Sequence, residues 1–170
     1  MEYIVIISNK FEGVMTLELG KKVPDLSLHI GKDNVIKLSD LKGKFVILYF
    51  YPKDDTPGCT IEAQDFNKLK PEFDKLNTVI IGVSKDKLDS HDKFKEKYSL
   101  GFDLASDANS NLCEQLGVWI EKSMFGKKYM GIDRATFLLD KEGIVKHIWR
   151  SVNAKNHAQK VLEKLRTMLS

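Results

Sequence analysis

Cysteine, arginine and long apolar runs are all scarce in this chain of 170 residues. The two cysteines, Cys59 and Cys113, are too few for a disulfide framework or a four-ligand zinc site, so a reducing compartment is the simpler setting. Basic residues number 27 against 24 acidic ones, and the net charge of +3 is interleaved along the chain; this is a solvated surface, not a nucleic-acid footprint. Among those basic residues only Arg134, Arg150 and Arg166 are arginine, so an arginine beside an apolar run stands out. The longest apolar runs, Ile4 to Ile7 and Phe45 to Tyr51, fall far short of the roughly 20 residues that span a bilayer. The N-terminus carries Glu2 where a signal peptide is basic, and no arginine as far as Leu41, unlike a transit peptide. The expected location is the cytoplasm, with neither membrane nor nucleic acid as a partner.

With 42% apolar and 30% charged residues, the chain has the composition of one soluble domain that buries roughly two-thirds of its unfolded surface without staples. Residues 1–16 read as a detached N-terminal extension, with the domain proper spanning 17–170. Leu26 to Ile30 and Val35 to Leu38 flank a turn rich in Gly, Asp and Asn, which predicts a hairpin. Phe45 to Tyr51 is apolar on both faces, as a central strand covered on both sides must be. Pro52 stops it, and Thr56-Pro57-Gly58-Cys59 opens a helix with Cys59, Ala63 and Phe66 on one face; Pro71 either kinks that helix or starts a second one.

Thr78 to Val83 reads as the next buried strand. Leu88 to Tyr98 reads as a helix capped by Asp89 or Ser90, with His91, Phe94 and Tyr98 at helical spacing. Phe102 to Ala105 is a short strand, Asn109 to Leu116 a short helix, and Gly117 to Gly131 a loop. Ala135 to Leu139 and Ile144 to Trp149 form a second hairpin. The final helix repeats Ala158, Val161, Leu162, Leu165 and Met168 at its apolar period. Alternating elements in the middle and hairpins at both ends predict an α/β domain with a central mixed sheet flanked by helices.

Cys59 is the residue placed for chemistry. It sits in the first turn of a helix, where free N–H groups and the helix dipole favour an anion. A lone cysteine is most often a small buried apolar residue, but few such cysteines follow a Thr-Pro-Gly turn. Thr56 offers a hydroxyl one turn earlier, its bland role being a turn or cap. Pro52 either shields the thiol or only terminates the strand. Arg134 opens the apolar stretch to Leu139 and must find an anion if buried, either the Cys59 thiolate or a carboxylate. Glu62 either orients Arg134 or is an exposed helix carboxylate.

The run from Phe50 to Thr60 resembles the peroxiredoxin signature Pro-x-x-x-Thr-x-x-Cys. Its wording, together with Gly131-Ile132-Asp133-Arg134-Ala135-Thr136-Phe137, Lys93-Phe94 to Tyr98, Ser106-Asp107 and Gly117-Val118-Trp119, is similar to the bacterioferritin comigratory protein or PrxQ branch. The resemblance runs from about Leu17 to the end. It implies a thioredoxin-like fold and an antioxidant thiol peroxidase that reduces hydrogen peroxide and organic hydroperoxides. Cys59 would be the nucleophile that becomes a sulfenic acid, Thr56 and Arg134 would hold the peroxide, and Pro52 would limit solvent access. No cofactor, metal or haem is implied, and Asp54-Asp55 reads as a solvated loop.

One departure matters. Many members of the branch carry a resolving cysteine five residues after the first, and here that position is Gln64. In a regular helix five residues span about 7.5 Å of rise, so even the usual pair needs unwinding to bond. Cys113 lies between Leu112 and Leu116 and reads as a core residue. The leading expectation is a one-cysteine cycle completed by an external thiol: thioredoxin, glutaredoxin or glutathione. The alternatives are a two-cysteine cycle with Cys113 as an atypical resolving residue, or a non-catalytic thioredoxin-like binding or chaperone module. Both monomer and homodimer are compatible with the sequence.

Overall fold

The structure, a computed structural model, describes residues 17–170; the expected extension over 1–16 lies outside them. Among the described residues, nine strands and four α-helices follow one another as β1 (Ser27–Gly31), β2 (Asn34–Lys37), β3 (Phe45–Phe50), α1 (Pro57–Lys75), β4 (Thr78–Ser84), α2 (Leu88–Tyr98), β5 (Asp103–Ser106), α3 (Leu112–Gln115), β6 (Trp119–Met124), β7 (Lys127–Ile132), β8 (Ala135–Leu139), β9 (Val145–Trp149) and α4 (His157–Leu169). A 3-10 turn, Leu38–Leu41, follows β2.

The doubly apolar segments do become the centre. A five-stranded sheet runs in the order β5-β4-β3-β8-β9. β3 is parallel to β4 and antiparallel to β8, with Phe50 paired to Val83 on one side and Ala135 on the other. Successive side chains of a strand point to opposite faces, so β3 divides its residues between two cores. Val46, Leu48 and Phe50 face the β1–β2 hairpin and α3 residues Leu112 and Cys113. Ile47, Tyr49 and Tyr51 face α1 and α4, through Cys59, Ala63, Phe66, Ala158, Val161 and Leu162, with Phe94 of α2 in the same cluster. This is the mixed, helix-flanked, thioredoxin-like sheet the sequence implied.

Three local expectations need correction, and the alternative left open at Pro71 is resolved. Residues 117–131 are not a loop: β6 and β7 form an antiparallel ribbon whose two-residue turn, Phe125-Gly126, has positive φ at both positions (51° and 79°), as a tight hairpin requires. The ribbon stands largely in solvent, so it has no buried face to write an alternating pattern into the sequence. Helix α1 continues through Pro71 as one 19-residue element rather than two. The N-cap of α2 is Lys87, without a side-chain cap; the Ser90 hydroxyl instead donates to Asp54 Oδ2 at 2.7 Å. The helix expected over Asn109 to Leu116 is the four-residue α3.

Candidate active site

The chain leaves β3 through Tyr51 and half-buried Pro52, turns, and enters α1 with Thr56 as N-cap and Pro57 in the first turn, where its missing N–H removes no helical bond. Cys59 follows in that turn, 1% exposed, its side chain directed into the α1–α4 core. The Thr56 hydroxyl donates to the Lys53 carbonyl at 2.8 Å, closing the turn on itself and leaving the oxygen lone pairs free to accept.

Arg134 reaches Cys59 from far along the chain. Pairing of Ala135 with Phe50 fixes the start of β8 beside the exit of β3, and Arg134 immediately precedes it. Its Nη2 donates to Cys59 Sγ at 3.4 Å and its Nη1 to Glu62 Oε1 at 2.7 Å. The guanidinium thus meets both of the groups that the sequence offered as alternatives. Burial opposes its charge, but Glu62 and Cys59 outweigh this and raise its pKa further. The contact sets a positive charge directly against the sulfur. Gly58 makes room for the fork: a Cβ there would lie 3.1 Å from Arg134 Nη2.

Glu62 is not the exposed carboxylate of the blander reading. It is fully buried, because a residue three positions after Cys59 shares the inward face of α1. Burial raises its pKa to about 7 despite the opposing pull of Arg134. Asp54 is also buried, contrary to the solvated-loop expectation: it accepts from Tyr51 Oη at 2.6 Å and from Ser90 Oγ, and lies 2.7 Å from His91 Nδ1. Only Asp55 faces solvent, and it is paired to Lys97. Among the described residues, Asp54, Asp86 and His91 are the one trio close enough to share an ion, and hydrogen bonds within the fold already engage all three.

Two neighbours escaped sequence reasoning. Lys122, half-buried on β6, has a pKa lowered by burial while Asp133, Arg134 and Cys59 act on its charge, which brings the hairpin to the border of the site. His157, at the start of α4, pairs with Thr136 Oγ1 at 2.8 Å; burial, with Arg134 and Lys160, lowers its pKa to about 4 and holds it neutral. Only its place at the head of the apolar stripe of α4 hinted at burial. Cys113 lies in the other core, where burial and then Asp107 push its thiol well above the ordinary range.

Fold and site together put this molecule among the thioredoxin-like enzymes that work through a thiol. The AhpC/TSA family model matches residues 19–148. Peroxiredoxin Bcp of Bacillus subtilis is 51% identical over 154 residues, covering 91% of this chain and 98% of that one. The Escherichia coli Peroxiredoxin Bcp is 39% identical over 150 residues, covering 88% and 96%. Among solved structures, a mutant of Xylella fastidiosa PrxQ superposes with a TM-score of 0.86 at 35% identity, covering 92% of this chain and 99% of its own. Xanthomonas campestris bacterioferritin comigratory protein does so with 0.83 at 43%, covering 90% and 98%. The chain belongs to the peroxiredoxins, in the Bcp/PrxQ branch, and is a thiol-dependent peroxidase. Among the described residues no helix is long and apolar enough to cross a membrane.

Proposed function

We propose that Cys59 is the peroxidatic residue of a one-cysteine cycle acting on hydrogen peroxide and organic hydroperoxides. The thiolate attacks the terminal oxygen of ROOH in line; an S–O bond forms, the O–O bond breaks, and ROH departs after taking one proton. Cys59 is left as a sulfenic acid. The observation that carries this reading is the 3.4 Å contact between Arg134 and Cys59 Sγ, with the other arm of the guanidinium anchored on Glu62. A cation held in place in this way stabilises both the thiolate and the charge that develops on the departing oxygen. Thr56 accepts the peroxide O–H with its free lone pairs, and Pro52 keeps bulk water from the sulfur.

An external thiol then attacks the sulfenic sulfur, water leaves, and a second thiol releases the mixed disulfide, returning Cys59 to the start of the cycle. Thioredoxin, glutaredoxin and glutathione all supply this chemistry. Two observations support an external rather than an internal partner. Gln64 is exposed where a neighbouring cysteine would stand, and Cys113 belongs to the core on the other face of the sheet. The working unit is the domain over 17–170, located in the cytoplasm, with 1–16 as an appendage. The test is one equivalent of peroxide followed by a sulfenic-acid trap, a thiol count and intact mass. The expected product is a single adduct on Cys59 with Cys113 free; loss of both thiols without an adduct would establish an internal disulfide instead, and a doubled mass an intermolecular one.

A further inference from the structure

The turn that carries Pro52 and Thr56 is gripped from α2, by groups that take no part in the chemistry described above. Asp54, at the centre of the turn, is buried among three polar side chains. Tyr51 Oη donates to its Oδ1 at 2.6 Å, Ser90 Oγ donates to its Oδ2 at 2.7 Å, and His91 Nδ1 lies 2.7 Å from the same Oδ2. Its backbone N–H donates to Asp86 Oδ2 at 2.8 Å. The next residue, Asp55, holds a left-handed φ of 57° and accepts from Tyr98 Oη and Lys97 Nζ, each at 2.7 Å. Both carboxylates of the turn are therefore fastened to one helix.

His91 is the deepest member of this grip, 1% exposed. Its Nε2 faces the Ala105 carbonyl at 3.1 Å and its Nδ1 faces the Asp54 carboxylate, while the Tyr51 hydroxyl, 3.4 Å from Nδ1, already donates to Asp54. The ring is thereby wedged between the Ala105 carbonyl and the Asp54 carboxyl group, with each nitrogen within hydrogen-bonding reach of an oxygen. Removing the ring would leave Asp54 Oδ2 and the Ala105 carbonyl each short of one buried partner, which loosens the turn that they hold.

We propose that His91 is a positioning residue: paired to Asp54, it locks the 52–56 turn and with it the first turn of α1, and so sets the balance between the closed site that attacks peroxide and the opened site from which the reductant reaches sulfur. The proposal rests on Cys59 being the residue oxidised. Cys59 is 1% exposed, so the external thiol needs the first turn of α1 to open, whereas peroxide attack needs it closed on Arg134. Weakening the lock must therefore move the two half-reactions in opposite directions, which general destabilisation would not do.

The experiment measures the two steps separately in the full chain. Stopped-flow mixing with peroxide reads formation of the sulfenic acid, and mixing of the preformed sulfenic acid with dithiothreitol reads its removal. His91→Gln is expected to slow the first step by about tenfold or more, as a misplaced nucleophile does, and to speed the second by about threefold. Tyr98→Phe removes only the outer hydrogen bond to Asp55 and keeps its ring against Phe94; this milder variant is expected to shift both steps in the same two directions by smaller factors. Equal slowing of both steps in both variants, or no change in either, would overturn the proposal while leaving Cys59 as the oxidised residue. If the unsubstituted chain yields no trapped adduct on Cys59, both readings fall.

Discussion

Cys59 and Cys113 stand on opposite faces of one five-stranded sheet, the first in the core of Ile47 and Tyr49, the second in the core of Val46, Leu48 and Phe50. A disulfide needs Cα atoms within roughly 7 Å, and here an intact sheet layer separates the two residues. Cys113→Ala should therefore leave kcat/KM for peroxide within about twofold while lowering stability by roughly 1–2 kcal/mol for the cavity it opens. Steady-state kinetics and thermal melts check both halves; a tenfold loss of turnover would show that Cys113 resolves Cys59 after all.

Gly58 tests how closely Arg134 must approach. A methyl group added there would sit 3.1 Å from Nη2, so the guanidinium must shift by a few tenths of an ångström or the helix start must move. Gly58→Ala is expected to reduce kcat/KM for peroxide by about tenfold with little change in folding, since small displacements of an electrostatic donor are costly in the transition state. Unchanged kinetics would mean that the 3.4 Å contact is looser in function than in the structure.

Glu62 should leave a signature in the pH dependence of stability. Its pKa rises from 4.5 to about 7 on folding, chiefly through burial. The folded chain then holds a proton that the unfolded chain has released. Its contribution is fully present below about pH 4.5 and is lost as the pH climbs to about 7, by up to about 3 kcal/mol. Glu62→Gln cannot titrate and should flatten the change in Tm over this window, while weakening peroxide reduction by loosening Arg134. A Tm profile identical to that of the parent chain would argue against the buried carboxyl.

His157 acts with the opposite sign. Its pKa falls from 6.5 to about 4 on folding, through burial and then Arg134 and Lys160. The unfolded chain takes up this proton first, so the stability associated with the neutral ring is full above about pH 6.5 and is lost as the pH drops to about 4, on the order of 2–3 kcal/mol. His157→Gln, which keeps a partner for Thr136, should unfold less readily on acidification than the parent chain, relative to each protein's own Tm at pH 8. Chemical denaturation at a series of pH values reads this out.

The centre of the fold was legible because β3, β4 and β8 are apolar on both faces, and the span of α2, though not its cap, was legible because His91, Phe94 and Tyr98 repeat at its period. The β6–β7 ribbon was not, since Met124, Phe125 and Tyr129 are exposed and its lysines break any alternation. The meeting of Arg134 with Cys59 was foreshadowed by one local run and one arginine opening an apolar stretch. Burial of Glu62 and Asp54 was not, although the inward spacing of Glu62 from Cys59 was there to be used. Asp54 draws its partners from α2, 36 and 37 positions onward, and no local pattern records a pairing of that span.

The Arg134–Cys59 contact joins residues 75 positions apart and exists only when β8 has paired with β3. At synthesis rates of roughly 5–20 residues per second, a newly made Cys59 waits on the order of 4–15 seconds before its arginine is even polymerised, and longer before α4 closes the core beside it. During that interval the thiol lacks the Arg134 contact. With Cys59 in the proposed peroxidatic role, the assistance of Arg134 is thus acquired late, as a property of the folded tertiary structure, and nascent chains are spared oxidation by the substrate.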